Sequence, residues 1–272
     1  HPFWRSTFVL DDAQDLQQLK ASAVPEVWID LSKGLDVLDD RQSPVHPIET
    51  TPPDITAPDL LGTEPTPLGQ EIAQARALWT QARDAVMAMF SEARMGRTVN
   101  MEKNSILVQE ITNSVLRNPD ALISVARLKT ADNYTYMHSV AVCALMIALG
   151  VQLKLPPALI RRAGLAGLLH DIGKMAIPNA ILNKPGRLSS DELQVVRRHP
   201  LEGEKTLMGT AQMCDMVVDV CLHHHERVDG NGYPHGLAGE QISVFSRMAA
   251  VCDVYDAVTS ERSYNQGWDP AV

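Results

Sequence analysis

The chain has 272 residues, of which 45% are hydrophobic and only 5% aromatic, and its net charge is −9. That length allows one large domain or two smaller ones, and a composition rich in Ala, Leu, Val and Met favours helix over sheet. The acidic balance argues against a nucleic-acid polymer or an anionic membrane as a partner, since either wants a basic face.

Residues 1–40 read as a small α+β domain. Thr7-Phe8-Val9-Leu10 and Val27-Trp28-Ile29-Asp30 are strand candidates, and a helix runs between them to about Ser22. Residues 41–67 hold seven prolines, a density that forbids helix and central strand, so the spacing predicts an extended linker. From residue 68 to 272 the periodicity turns helical. Helices are expected at 68–95, 100–117, 120–129, 132–150, 157–171, 189–207, 211–225 and 243–260, separated by Gly and Pro. The helix over 68–95 reads better as a core helix than as a connector or homodimer seam, because no strict heptad holds across it. The longest apolar run, Val140 to Val151, is too short for the ~20 residues that span a bilayer. Cys143, Cys214, Cys221 and Cys252 form no CxxC pair, which argues against a thiolate zinc site and suits a reduced, cytoplasmic chain. The chain starts at His1 rather than Met, so a clipped N-terminus is expected.

The chemistry gathers around His170-Asp171-Ile172-Gly173-Lys174. Helical spacing turns His138, His199, His224 and Asp253 inward on four further segments. A lone inward histidine is more often a satisfied core residue than a ligand. Four polar side chains directed into one helical core, beside a His-Asp pair, point instead to a shared cation. Imidazole and carboxylate without thiolate suit Fe, Mn, Zn, Ni or Co. The candidates are too many for one tetrahedral ion and fit two ions, with Asp171 the natural bridge and a hydroxide held between the ions as nucleophile. Lys174, four residues after His170, would share its face if the helix continues, and could meet developing negative charge. The loop Asp229-Gly230-Asn231-Gly232-Tyr233-Pro234 follows directly and reads as a shaped substrate-side or partner-binding turn.

These residues, HDIGK, HHE, DGNGYP and DVYDAVTSERSY, resemble the HD-GYP family of metal-dependent phosphohydrolases, from about Thr130 to Tyr264. The resemblance implies an all-helical HD-type domain that hydrolyses cyclic di-GMP to pGpG, and in some members on to GMP. It implies metal ligands His138, His170, Asp171, His199, His224, His225 and Asp253, with His223 a flanking residue. It implies two divalent ions, Fe or Mn first, and phosphate contacts from Lys174 and Arg262. Gly232 and Tyr233 of the GYP loop are the further substrate-side residues, and a diguanylate cyclase is the protein partner that such a loop would serve. Tyr134 stands where members with a third metal carry a carboxylate, and Ser263 and Asn265 replace the usual proline and basic residue. The start of the chain resembles the latter half of a small domain of unknown function that precedes some HD-GYP domains, so both ends are expected to be truncated. A cyclic di-GMP sensor with little turnover, and a hydrolase for another nucleotide, are the competing readings.

Overall fold

The computed structural model describes residues 64–126 and 134–260. Contacts divide the chain into His1–Ile55 and Thr56–Val272, and the described residues all lie in the second unit. The strands and helix expected before residue 40, most of the proline-rich linker, and Arg262, Ser263 and Asn265 lie outside them.

The described residues form helices and turns with no strand beyond one isolated bridge. The long helices are α1 (Leu68–Arg94), α2 (Met101–Arg117), α3 (Pro119–Ala126), α4 (Tyr134–Gln152) and α5 (Pro157–Leu169). After a 3₁₀ turn at Ile172–Ala176 come α6 (Asn179–Leu182), α7 (Ser190–Val196), α8 (His199–Met208), α9 (Asp215–His223), a second 3₁₀ turn at Gly239–Gln241, and α10 (Val244–Thr259). The caps follow the sequence. Asn100 accepts from the Lys103 amide, Ser243 from the Ser246 amide, and Ser189 with Glu192 makes a reciprocal capping box.

Helix α1 is a core helix. It buries Ala75, Ala82, Val86, Met89, Phe90 and Ala93. It also buries the carboxylate of Glu71, which accepts from Arg117 Nε and Nη2 and from Ser114 Oγ, each at 2.8 Å. The acid is fully enclosed, yet its lone pairs are filled, so it locks α1 to α2 without an orphaned charge.

Helices α4 and α5 make the most extensive packing in the fold. Small residues on α5 let the two lie close: a Cβ at Gly167 would stand 2.9 Å from the Val142 carbonyl oxygen. This pairing sets His138, near the start of α4, beside His170, at the end of α5.

Two expectations are corrected. The helix expected over 189–207 is broken: α7 ends at Val196, Arg197 and Arg198 turn, and α8 starts at His199. The helix expected through residue 171 stops at Leu169. The backbone then enters the 3₁₀ turn, with Asp171 at φ −101°, ψ 10°. Lys174 therefore does not project from a continued helix face. It folds back, and its ammonium binds Asp171 Oδ2.

Pro200, which has no amide for a continued helix, accounts for the first break, and close backbone packing accompanies the second. Gly173 lies against α8 so tightly that a Cβ would fall 1.9 Å from the His199 carbonyl oxygen and 2.4 Å from the Gly203 amide nitrogen. Neither atom can move without displacing the helix that carries His199. Gly173→Ala is expected to destabilise the protein by about 3 kcal/mol or more, read as a lowered thermal midpoint.

Candidate metal centre

Five segments converge on one buried point. His138 comes from α4, His170 and Asp171 from the turn after α5, and His199 from the first turn of α8. His224 caps α9, His225 follows it, and Asp253 comes from α10. His170, Asp171, His199 and His224 are at most 1% exposed, and His138 is 3% exposed.

The rings are held by their far nitrogens. His170 Nδ1 donates to the Gly167 carbonyl at 2.8 Å and His199 Nδ1 to the Val196 carbonyl at 2.8 Å. His224 Nδ1 donates to the Cys221 carbonyl at 2.9 Å, and His138 Nδ1 lies 2.6 Å from Asp256 Oδ2. A backbone carbonyl one turn back, or a carboxylate, thus holds each Nδ1, and each Nε2 is left facing inward.

Those inward atoms lack partners of the right kind. His170 Nε2 and Asp171 Oδ1 are buried without a hydrogen bond. His199 Nε2 lies 3.3 Å from His224 Nε2 and 3.2 Å from Asp171 Oδ1, so lone pairs face lone pairs. Such an arrangement is repulsive unless a cation lies among the atoms. The donor set therefore fits metal. One atom each from Asp171, His199, His224 and His225 lie within 4.8 Å of one another, as do one each from His138, His170 and Asp171. Asp171 belongs to both groups, Oδ1 facing His199 and His224, Oδ2 lying 3.3 Å from His170 Nε2 and 3.7 Å from His138 Nε2. Asp253 closes the ring, with Oδ1 2.9 Å from His138 Nε2 and Oδ2 3.8 Å from His225 Nδ1.

The electrostatics follow. Burial pushes the Asp171 carboxyl up, but the Lys174 charge and the neighbouring His170 and His199 hold it well below the carboxylate range. Burial pushes His224 down, and the imidazoles around it push the same way. His225 is brought to about 3, by burial first and then by His199. Both rings are neutral and ready to donate lone pairs. His138 goes the other way. Burial lowers it, yet its bonds to Asp253 and Asp256 outweigh burial and raise it.

The residues of the DGNGYP stretch form a braced loop beside this point. An antiparallel bridge joins Asp229 to Ala238, and the Glu226 carboxylate accepts from the amides of His235 (2.6 Å), Gly236 (3.1 Å) and Leu237 (3.0 Å). Gly232 runs so near the chain before it that a Cβ would lie 2.4 Å from Glu226 Cα. The Tyr233 ring stacks on His225 with centroids 4.8 Å apart, and burial pushes its phenol up, as do the charges of Asp171 and Asp253.

His223 points elsewhere. Its Nδ1 meets Asp219 Oδ1 at 2.8 Å and its Nε2 meets His235 Nδ1 at 3.2 Å. Asp219 also accepts from Ser243 and Ser246 at the start of α10. Sequence reading missed Asp256 and Asp219 as supports of the site. The signal was present as spacing: Asp256 lies three residues after Asp253 and Asp219 four before His223, each on the same helical face.

Comparison with known proteins meets this geometry. The HD domain family matches residues 115–271, more than half the chain. The chain belongs to the HD domain family. A domain of unknown function, DUF3391, matches residues 1–103. Among relatives of this HD domain chain, a cyclic di-GMP phosphodiesterase of Pseudomonas aeruginosa is 57% identical over all 272 residues. The chain spans 65% of that relative's length. The cyclic di-GMP phosphodiesterase response regulator RpfG of Xanthomonas campestris is 46% identical over 118 residues, 43% of this chain and 31% of that one. The HD domain fold also matches an HDG"Y"P protein of Bdellovibrio bacteriovorus with TM-score 0.60, at 21% identity over 76% of this chain and 65% of that one. The His/Asp cluster of this chain is of the kind that HD domains use for divalent metal.

Two outcomes follow for metal binding. Asp256 holds the far nitrogen of the His138 ring, so Asp256→Asn is expected to weaken metal binding about 10- to 100-fold, read by chelator competition. Loading metal on His138 Nε2 must also displace the proton that Asp253 and Asp256 favour there. Affinity should therefore rise with pH below the raised His138 value and level off above it, in a competition series from about pH 6 to about pH 9.

Proposed function

We propose that this domain is a metal-dependent phosphodiesterase that hydrolyses cyclic di-GMP to pGpG. The observation that carries the reading is Asp171, whose two carboxylate oxygens face separate histidine groups, in a chain 57% identical to a cyclic di-GMP phosphodiesterase. The proposed ligands are His138, His170, Asp171, His199, His224, His225 and Asp253. They would hold two divalent ions, with Asp171 shared. Nitrogen and oxygen ligation without sulfur favours Fe or Mn and tolerates Zn, Ni or Co. Bound metal supplies Lewis acidity at the scissile phosphate and lowers the pKa of a water toward ~7.

The chain's own residues do the rest. Attack of water on phosphorus breaks the bond to the 3′ oxygen and gives the linear product. Carbonyl-tethered imidazoles keep the centre from relaxing as charge builds, so little reorganisation is needed. Lys174 rests on Asp171 Oδ2, at the position where a cation is wanted. Beside the residues that would hold the ions, its ammonium is placed to meet a phosphoryl oxygen. Tyr233, stacked on His225, gives the substrate a flat apolar wall next to the centre. Burial pushes the thiols of Cys143 and Cys221 up, so neither is a candidate nucleophile.

Metal-replete protein incubated with cyclic di-GMP is expected to release pGpG, followed by chromatography. Asp171→Ala should remove turnover and metal together. Lys174→Ala should keep its metal and lose about 10²- to 10³-fold in kcat. Tight binding of cyclic di-GMP by the metal-replete protein without product would sink the enzyme reading and leave a sensor.

A further inference from the structure

Arg197 is the residue at this site that neither the motifs nor the metal geometry use. It caps α7 at the break in the expected helix, two residues before His199. The turn that delivers the His199 imidazole to Asp171 therefore also sets the position of this guanidinium. The Arg197 guanidinium carbon lies 5.2 Å from the centroid of the Tyr233 ring. That ring stacks on His225, so metal centre, phenol and guanidinium form a continuous series.

The charge at Arg197 is uncommitted. Its neighbour Arg198 approaches Glu202 at 3.8 Å, and Lys174 is engaged with Asp171. Arg197 is exposed and makes no ion pair among the described residues, in a chain of net charge −9. An arginine held on an aromatic face keeps its planar fork of donors available and loses less side-chain freedom when it binds. The fork matches the oxygens of a phosphodiester.

We propose that Arg197 binds the second phosphate of a dinucleotide, the one that is not cut. The inference rests on the reading of the centre as a cyclic di-GMP phosphodiesterase. That substrate carries two phosphodiesters on one ring. When one lies at the metal ligands the other must project to a side, and the Tyr233 side offers a cation without an acidic partner. Lys174 serves the scissile phosphate and Arg197 the other. Arg197 is thus a specificity residue, which separates dinucleotides from substrates with a single phosphodiester.

The test compares the metal-replete wild type, Arg197→Ala and Arg197→Lys on cyclic di-GMP and on bis(p-nitrophenyl) phosphate, which has one phosphodiester. The readout is the ratio of kcat/KM for the first substrate to that for the second. Loss of a charge-assisted phosphate contact should lower the ratio about 10- to 100-fold in Arg197→Ala, chiefly through KM. Arg197→Lys, which keeps the charge, should recover part of it. A purely structural role, in which Arg197 only supports Tyr233, would depress both substrates together, and an unmoved ratio overturns the proposal. Wild type that cleaves the chromogenic diester but neither cuts nor is inhibited by cyclic di-GMP would overturn the substrate reading and this inference with it. Wild type that cuts the dinucleotide with an unchanged ratio in the variant overturns this inference alone.

Discussion

The fold is built around a repulsion. Asp171 is buried among imidazoles whose Nδ1 protons are already donated elsewhere, so lone pairs meet at its oxygens. In water each of those atoms would be hydrated. Inside the helices each stands to cost about 1–3 kcal/mol if nothing answers it. Dispersion among the core side chains can hold such a cluster together, but it cannot make the cluster favourable. A cation can, and the way the helices end serves that purpose. Helix α5 stops at Leu169, α8 starts at His199 and α9 finishes at His223, so three ligand-bearing segments are helix ends and not helix middles.

Helix ends have a second use here. The carbonyls of the last turn have no amide partner within the helix. Gly167 and Cys221 spend theirs on the histidine that follows, and Val196 does the same from the end of α7. One set of bonds thus satisfies the backbone and selects the tautomer. Asp256 performs the equivalent task for His138, whose position inside α4 offers no spare carbonyl.

Much of this was legible in the sequence, for a physical reason. Inward-pointing polar residues on apolar helical faces are rare enough that His138, His199, His224 and Asp253 could be singled out by spacing alone, and the structure brings their side chains to one point. The all-helical fold of residues 68–260 was equally clear, because the 3.6-residue period is long and little interrupted. The break at 170 was not. The break at 197 is written in the sequence: Pro200 has no amide to give the Val196 carbonyl, so the helix stops and restarts with Pro200 in its first turn. The supporting carboxylate of Glu226 was also hidden. An acidic residue in a loop is ordinarily solvated, and only the tertiary fold shows what it accepts from.

Glu226 illustrates what such a support implies for recognition. Three successive amides, at His235, Gly236 and Leu237, converge as a loop does when it cradles an anion, but the protein's own carboxylate already fills the cradle. The GYP loop is therefore self-saturated. It has no main-chain donors at that point to spare for a ligand, and removing Glu226 would open a competing anion pocket beside the centre. At that point a ligand meets side chains rather than main-chain amides, which makes recognition there sensitive to the identity of single residues.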